Sequence, residues 1–137
     1  MNSYNLIFLF FLFLTICVTA EDIKRFDTKT MESDDTITLR GGEEFELVLY
    51  GNPSTGFRWD VSEISDSSLV AIISDKYEDD FETPKPGENV PLGSKKEHIF
   101  TFMTNTIAGT TSIEFEYSRN WEQGTENYFK INVNVIE

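Results

Sequence analysis

Phe129-Lys130-Ile131-Asn132-Val133-Asn134-Val135 alternates apolar and polar side chains along its whole length. Successive side chains of an extended chain point to opposite faces, so this period predicts a strand with one face buried and one in water. Working backwards from it, Ile113, Phe115 and Tyr117 oppose Ser112, Glu114 and Glu116 in the same way. Phe100 and Phe102 alternate with Ile99, Thr101 and Met103, and Phe45, Leu47 and Leu49 with Glu44, Glu46 and Val48. Weaker strand signals cover residues 36–39, 57–61 and 69–73. No internal repeat, heptad pattern or extended helical period competes with them.

Turn chemistry separates these runs. Gly41-Gly42, Asn52-Pro53, Pro84-Lys85-Pro86-Gly87, Gly93-Ser94, Gly109 and Gly124 supply fixed or positive φ values that strands do not use. Roughly seven to eight short strands of this kind predict an all-β fold, an immunoglobulin-like antiparallel β-sandwich. Residues 75–89, acidic and rich in proline and glycine, read as one long loop.

The amino end is of another kind. Leu6 to Val18 reads LIFLFFLFLTICV, without a charge, and closes on Val18-Thr19-Ala20 before Glu21. A short apolar core ending in small residues is the pattern of a secretory signal, and the run is shorter than the roughly 20 apolar residues of a membrane span. The expectation is a signal peptide at 1–20, cleaved after Ala20, and a single domain at 21–137. That predicts entry to the secretory pathway, with release or residence in a lysosomal or phagosomal lumen, and no membrane attachment after cleavage. Cys17, the chain's one cysteine, leaves with the signal. A domain of roughly 120 residues can bury enough surface to fold without a disulfide.

The 24 acidic and 11 basic residues give a formal charge of −13, which repels nucleic acid and anionic membranes. Catalytic groups are scarce. Nucleophilic catalysis wants an activated Ser, Thr or Cys beside a base, and the one histidine, His98, stands at the start of an expected strand. Zinc-ligand spacing is missing. Glu78-Asp79-Asp80 offers oxygen atoms but lacks the spacing of a calcium loop. The chain does not read as an enzyme, and it calls for no metal or cofactor.

Three connections hold the remaining information. Asn52-Pro53-Ser54-Thr55-Gly56-Phe57 joins two strands: Pro53 fixes φ, Asn52 can bond its own backbone, and Gly56 permits a sharp return. Ser54 and Thr55 are then held at a tip with little entropy left to lose on binding. Of Phe57 and Trp59, at least one should anchor the loop base in the core. The second connection is Val90-Pro91-Leu92-Gly93-Ser94-Lys95-Lys96. The third, Arg119-Asn120-Trp121-Glu122-Gln123-Gly124, carries a tryptophan beside an arginine, the composition of a binding hot spot. In a sandwich of the expected type the three lie at one end and form one edge.

Asn52 to Phe57 resembles the Asn-Pro-Thr-Thr-Gly-aromatic loop of the chagasin family, inhibitors of papain-like cysteine peptidases in protozoa and bacteria. Arg119-Asn120-Trp121 resembles that family's Arg-Pro-Trp loop, with Asn for Pro. Leu92-Gly93-Ser94-Lys95 matches its Gly-x-Gly-Gly loop in one glycine. The resemblance covers nearly all of residues 21–137 in order and spacing. It implies a monomeric, reversible, tight-binding inhibitor of papain and cathepsin L-like enzymes. Asn52, Pro53, Ser54, Thr55, Gly56 and Phe57 would plug the cleft near its Cys–His pair. Leu92, Gly93, Ser94 and Lys95 would lie along the non-primed side, and Arg119, Asn120 and Trp121 on the primed side. The alternative class is a secreted adhesion or carbohydrate-binding module that stacks ligands on Trp121 and Trp59.

Overall fold

The computed structural model describes residues 22–79 and 95–137. The expected signal at 1–20, with Cys17, and Leu92, Gly93 and Ser94 of the second connection lie outside the described residues.

Eight strands form two four-stranded sheets packed face to face: β1 Lys24–Asp27, β2 Thr36–Arg40, β3 Glu44–Gly51, β4 Arg58–Ile64, β5 Val70–Asp79, β6 Lys96–Thr104, β7 Gly109–Ser118 and β8 Asn127–Ile136. One sheet has the order β1-β3-β6-β5 and the other β2-β8-β7-β4. The period-2 runs are the inner strands, and their apolar members face inward. Phe45, Leu47, Phe102, Ile113, Phe115, Ile131 and Val133 are fully buried. Phe45 and Phe102 stack within the first sheet at 5.4 Å, and Phe100 meets Phe115 of the second sheet edge-on at 5.1 Å. Such rings bury large apolar areas and prefer these offset geometries, so a few of them clamp the layers together.

The sandwich is the expected one, and it differs in detail from the expectation at its margins. β1 was not foreseen: Lys-Arg-Phe-Asp has no readable period and gains its place by parallel pairing with β3. β2 likewise pairs parallel with β8, so each sheet carries one parallel edge on an otherwise antiparallel frame. The expected loop at 75–89 starts too early. Residues 75–79 continue β5 and pair with β6 up to Asp79 opposite Lys96. β5 is an edge strand paired to one neighbour, and its exposed Asp75, Lys76, Tyr77 and Glu78 obscure the alternation. Charges on such a strand also discourage pairing with another chain.

Candidate functional site

Strand pairing brings the bases of the three connections to one end. Gly51, where β3 ends, lies opposite Lys96, where β6 begins, and Lys96 is also opposite Asp79 at the end of β5. In the second sheet Arg58 lies opposite Ser118, and Tyr117 opposite Asn127. The described ends of the connections 52–57, 80–95 and 119–126 therefore stand at the same edge.

The first connection folds on itself. Pro53–Thr55 forms one 3₁₀ turn with Asn52 as its cap. The Asn52 carboxamide oxygen accepts from the Ser54 amide at 3.1 Å and from its hydroxyl at 2.5 Å. Thr55 donates its hydroxyl to the Asn52 carbonyl at 2.6 Å, and the Gly56 amide donates to the Pro53 carbonyl at 3.1 Å. Gly56 then takes φ +82°, a left-handed conformation that an L side chain adopts only with strain. Ser54 and Thr55 are exposed, and Pro53 and Gly56 are half-buried behind them.

Beneath this turn lies an aromatic platform. Trp59 is buried and donates its indole N–H to the Tyr50 carbonyl at 3.0 Å. Phe57 stays half-buried, its ring stacked 5.3 Å from that of Tyr117, which in turn lies 5.1 Å from Trp59. The Tyr117 hydroxyl accepts from the Asn52 amide at 3.0 Å, and its ring fills the space over Gly51, where a Cβ would come within 2.9 Å. Sequence reading placed Tyr117 in a strand and nothing more. Its signal was its position as the last inward residue before the third connection. Burial of Trp59 leaves Trp121 alone for the ligand stacking that a carbohydrate-binding module would need.

The third connection leans on the first. Trp121 is 70% exposed, yet the edge of its indole rests on Gly56, where a Cβ would lie 2.1 Å from the ring. Arg119 donates Nε–H to the Thr55 carbonyl at 3.0 Å, sets its guanidinium 4.0 Å over the Phe57 ring, and pairs through Nη1 with Glu122 at 3.0 Å. Asn120 is exposed at the tip. Asn52 through Phe57, Arg119 and Trp121 are thus brought together as one surface. Lys95, at the foot of the middle connection, is exposed.

Catalytic chemistry finds little footing here. His98, on β6, is buried between Tyr77 and Phe100, its ring 4.0 and 4.1 Å from theirs, with Nε2 2.7 Å from the Asp75 carboxylate. Burial pushes its pKa below the ordinary value, and the Asp75 bond opposes that shift. Among the described residues no hydroxyl or thiol is hydrogen-bonded to it as a nucleophile would be. Among the described residues no group of His, Cys, Asp and Glu is arranged to hold a metal ion.

Comparison with known proteins gives the family and the fold. The family model described as chagasin family peptidase inhibitor I42 matches residues 38–135. Amoebiasin-1 of Entamoeba histolytica is 31% identical over 105 residues, which cover 75% of this chain and 92% of the relative. Amoebiasin-2 of the same organism is 28% identical, over 77% of this chain and 79% of its own length. Among solved structures, the cysteine protease inhibitor EhICP2 from Entamoeba histolytica superposes with a TM-score of 0.65 at 23% identity, covering 83% of this chain and 96% of that one. PbICP-C, solved in complex with falcipain-2, superposes at 0.59 and 19% identity, over 82% of this chain and 99% of that one. At those identities the superpositions speak for the fold.

Proposed function

Because this chain belongs to the chagasin family of peptidase inhibitors, whose members are inhibitors and not enzymes, we propose that it plugs the active-site cleft of papain-like cysteine peptidases with the edge built from its loops. The observation that carries this reading is the seating of Trp121 on Gly56 and of Arg119 on the Thr55 carbonyl, which makes two loops one wedge. Ser54 and Thr55 form its tip. The tip enters the cleft beside the catalytic Cys–His pair, Trp121 packs on the primed side, and the middle connection around Leu92-Gly93-Ser94-Lys95 follows the non-primed side.

Binding of this kind is reversible and needs no cofactor. No group of the wedge is reactive, and the tip resists cleavage because it is a closed turn. Asn52 and Gly56 hold the Ser54 and Thr55 peptides in 3₁₀ geometry, whereas a peptidase aligns an extended substrate for attack. The turn is already internally bonded, so little conformational entropy remains to be lost on docking. Residues 1–20 serve as the export signal in this reading. They place a monomeric inhibitor in the secretory pathway, in the lumen of lysosomes or phagosomes or outside the cell.

Titration of papain or a cathepsin L-like peptidase with the chain from Glu21 onward tests the proposal. Stoichiometric, reversible inhibition is expected, and absence of inhibition at micromolar concentration would refute it. Trp121→Ala should weaken inhibition by about 2 kcal/mol or more, as truncation of a hot-spot aromatic does. A loss under about 0.5 kcal/mol would remove the third loop from the interface.

A further inference from the structure

Arg119 stands next to the most exposed aromatic of the edge, but its own side chain is turned inward and is 28% exposed. We infer that Arg119 is a positioning residue: it holds Trp121 and the Thr55 tip in fixed relation, so that the first and third loops meet a partner as one preassembled body. The inference rests on the inhibitory reading above and deepens it.

Three features of the guanidinium support this. Its Nε–H is committed to the Thr55 carbonyl, which fixes the peptide between Thr55 and Gly56. Its flat face covers the Phe57 ring at 4.0 Å, and Nη1 is engaged by Glu122. The bonds therefore run from one side chain to both loops. A planar fork with several donors can satisfy such a set at once, which an ammonium cannot.

Trp121 needs the help. With 70% of its surface in water, the indole rests its edge on Gly56. Arg119 lies at 6.0 Å from the indole, at the outer limit of cation–π contact, so its influence on Trp121 passes chiefly through the backbone it fixes. Asn120, between the two, leaves φ free where a proline would have restricted it. Side-chain bonds from Arg119 take over that restriction. A loop ordered before docking avoids the ordering cost on docking.

The test uses Arg119→Ala, Arg119→Lys, Trp121→Ala and the Arg119→Ala/Trp121→Ala double variant. In the free protein, the ring-current displacement of the Gly56 Hα resonances reads the seating of Trp121, with Trp121→Ala as the zero. Arg119→Ala is expected to lose most of that displacement while the thermal midpoint holds. Arg119→Lys, which keeps the charge and loses the fork, should resemble it. Against papain, Arg119→Ala should weaken inhibition roughly tenfold, and the double variant should be no weaker than Trp121→Ala, because coupled residues are non-additive. Full Gly56 displacement in Arg119→Ala would overturn the inference, and so would wild-type behaviour of Arg119→Lys. Additive losses in the double variant would make Arg119 a direct contact and overturn it too. If the wild-type chain fails to inhibit, the functional reading falls, and the Gly56 resonances still decide whether Arg119 positions Trp121.

Discussion

At the end of the sandwich away from the three loops, the turns are fastened through buried hydroxyls; at the loop end they are fastened through a guanidinium and a bare indole. Thr104, 1% exposed, accepts from the Glu43 amide at 2.9 Å and donates to the Arg40 carbonyl at 2.6 Å. Next to it Asn105 binds Leu69 through its amide at 2.7 Å and Ser68 through its side chain at 3.0 Å. Thr111, 3% exposed, accepts from the Asp66 amide at 2.9 Å. The Thr104 and Thr111 hydroxyls tie their turns from buried positions, so they contribute to stability and are not presented to a partner, while the exposed Asn105 adds a surface bond between the same turns. At the loop end the cross-links are surface bonds over an aromatic platform, and Ser54, Thr55 and Trp121 remain open. One end serves the fold and the other presents a surface, and the two should be separable by mutation.

Gly56→Ala should have the largest effect. The substitution forces a side chain into φ +82° and drives its Cβ into the Trp121 ring. Backbone strain and displacement of the indole together should weaken peptidase inhibition by about 3 kcal/mol. The thermal midpoint should move far less, since no core residue is touched. An inhibition constant within threefold of wild type, with the thermal midpoint unmoved, would show that the Trp121 seat is irrelevant to binding.

Thr104→Val should give the mirror image. It keeps the shape of the side chain and leaves the Glu43 amide and Arg40 carbonyl without their partner, at a cost of about 2 kcal/mol in unfolding free energy. Inhibition measured well below the melting temperature should be unchanged. Parallel loss of affinity would mean that the two ends are coupled through the sandwich, and the contrast between them would fail.

How much of this contrast could be read in advance depends on the range of the interactions. The alternation in β3, β6, β7 and β8 is a local signal, set by one face in water and one in the core, and it placed the inner strands correctly. β1 and the distal half of β5 lack it because they are edges. Lys24 and Arg25 are exposed, and β5 from Ala71 to Glu78 is exposed throughout. The turn at 52–57 was legible too, since Asn52, Pro53 and Gly56 act on their own neighbours. Seating of Trp121 on Gly56 and bonding of Arg119 to Thr55 join residues more than sixty positions apart. Only strand register brings them together, and no short motif encodes it. Thr104 and Thr111 were illegible for the same reason: a threonine in a β run looks like any other until its hydroxyl is seen to meet the turn next door.

The smallest effect should come from the one buried histidine, which lies two residues into β6 from the loop end. His98 faces Asp75 and Tyr77 of β5, with Arg58 and Asp60 of β4 acting through space. Among the described residues its Nδ1 has no hydrogen-bond partner, so a second ring proton there would be buried unpaired. Burial lowers its folded-state pKa below the value of about 6.5 expected when unfolded. The unfolded chain then binds the proton first as pH falls, so stability is full above about 6.5, declines as pH drops toward the depressed folded value, and levels off below it. Glu43 and Asp66, whose pKa values are lowered from the ordinary carboxylate value, begin to lose their contribution only below that value, so the His98 window opens at higher pH than theirs. Chemical denaturation at closely spaced pH values should show a shallow slope just below pH 6.5 in the wild type. In His98→Gln, which can still donate to Asp75, the slope should vanish. An identical slope in both proteins would assign the acid sensitivity to the carboxylates and leave His98 as packing alone.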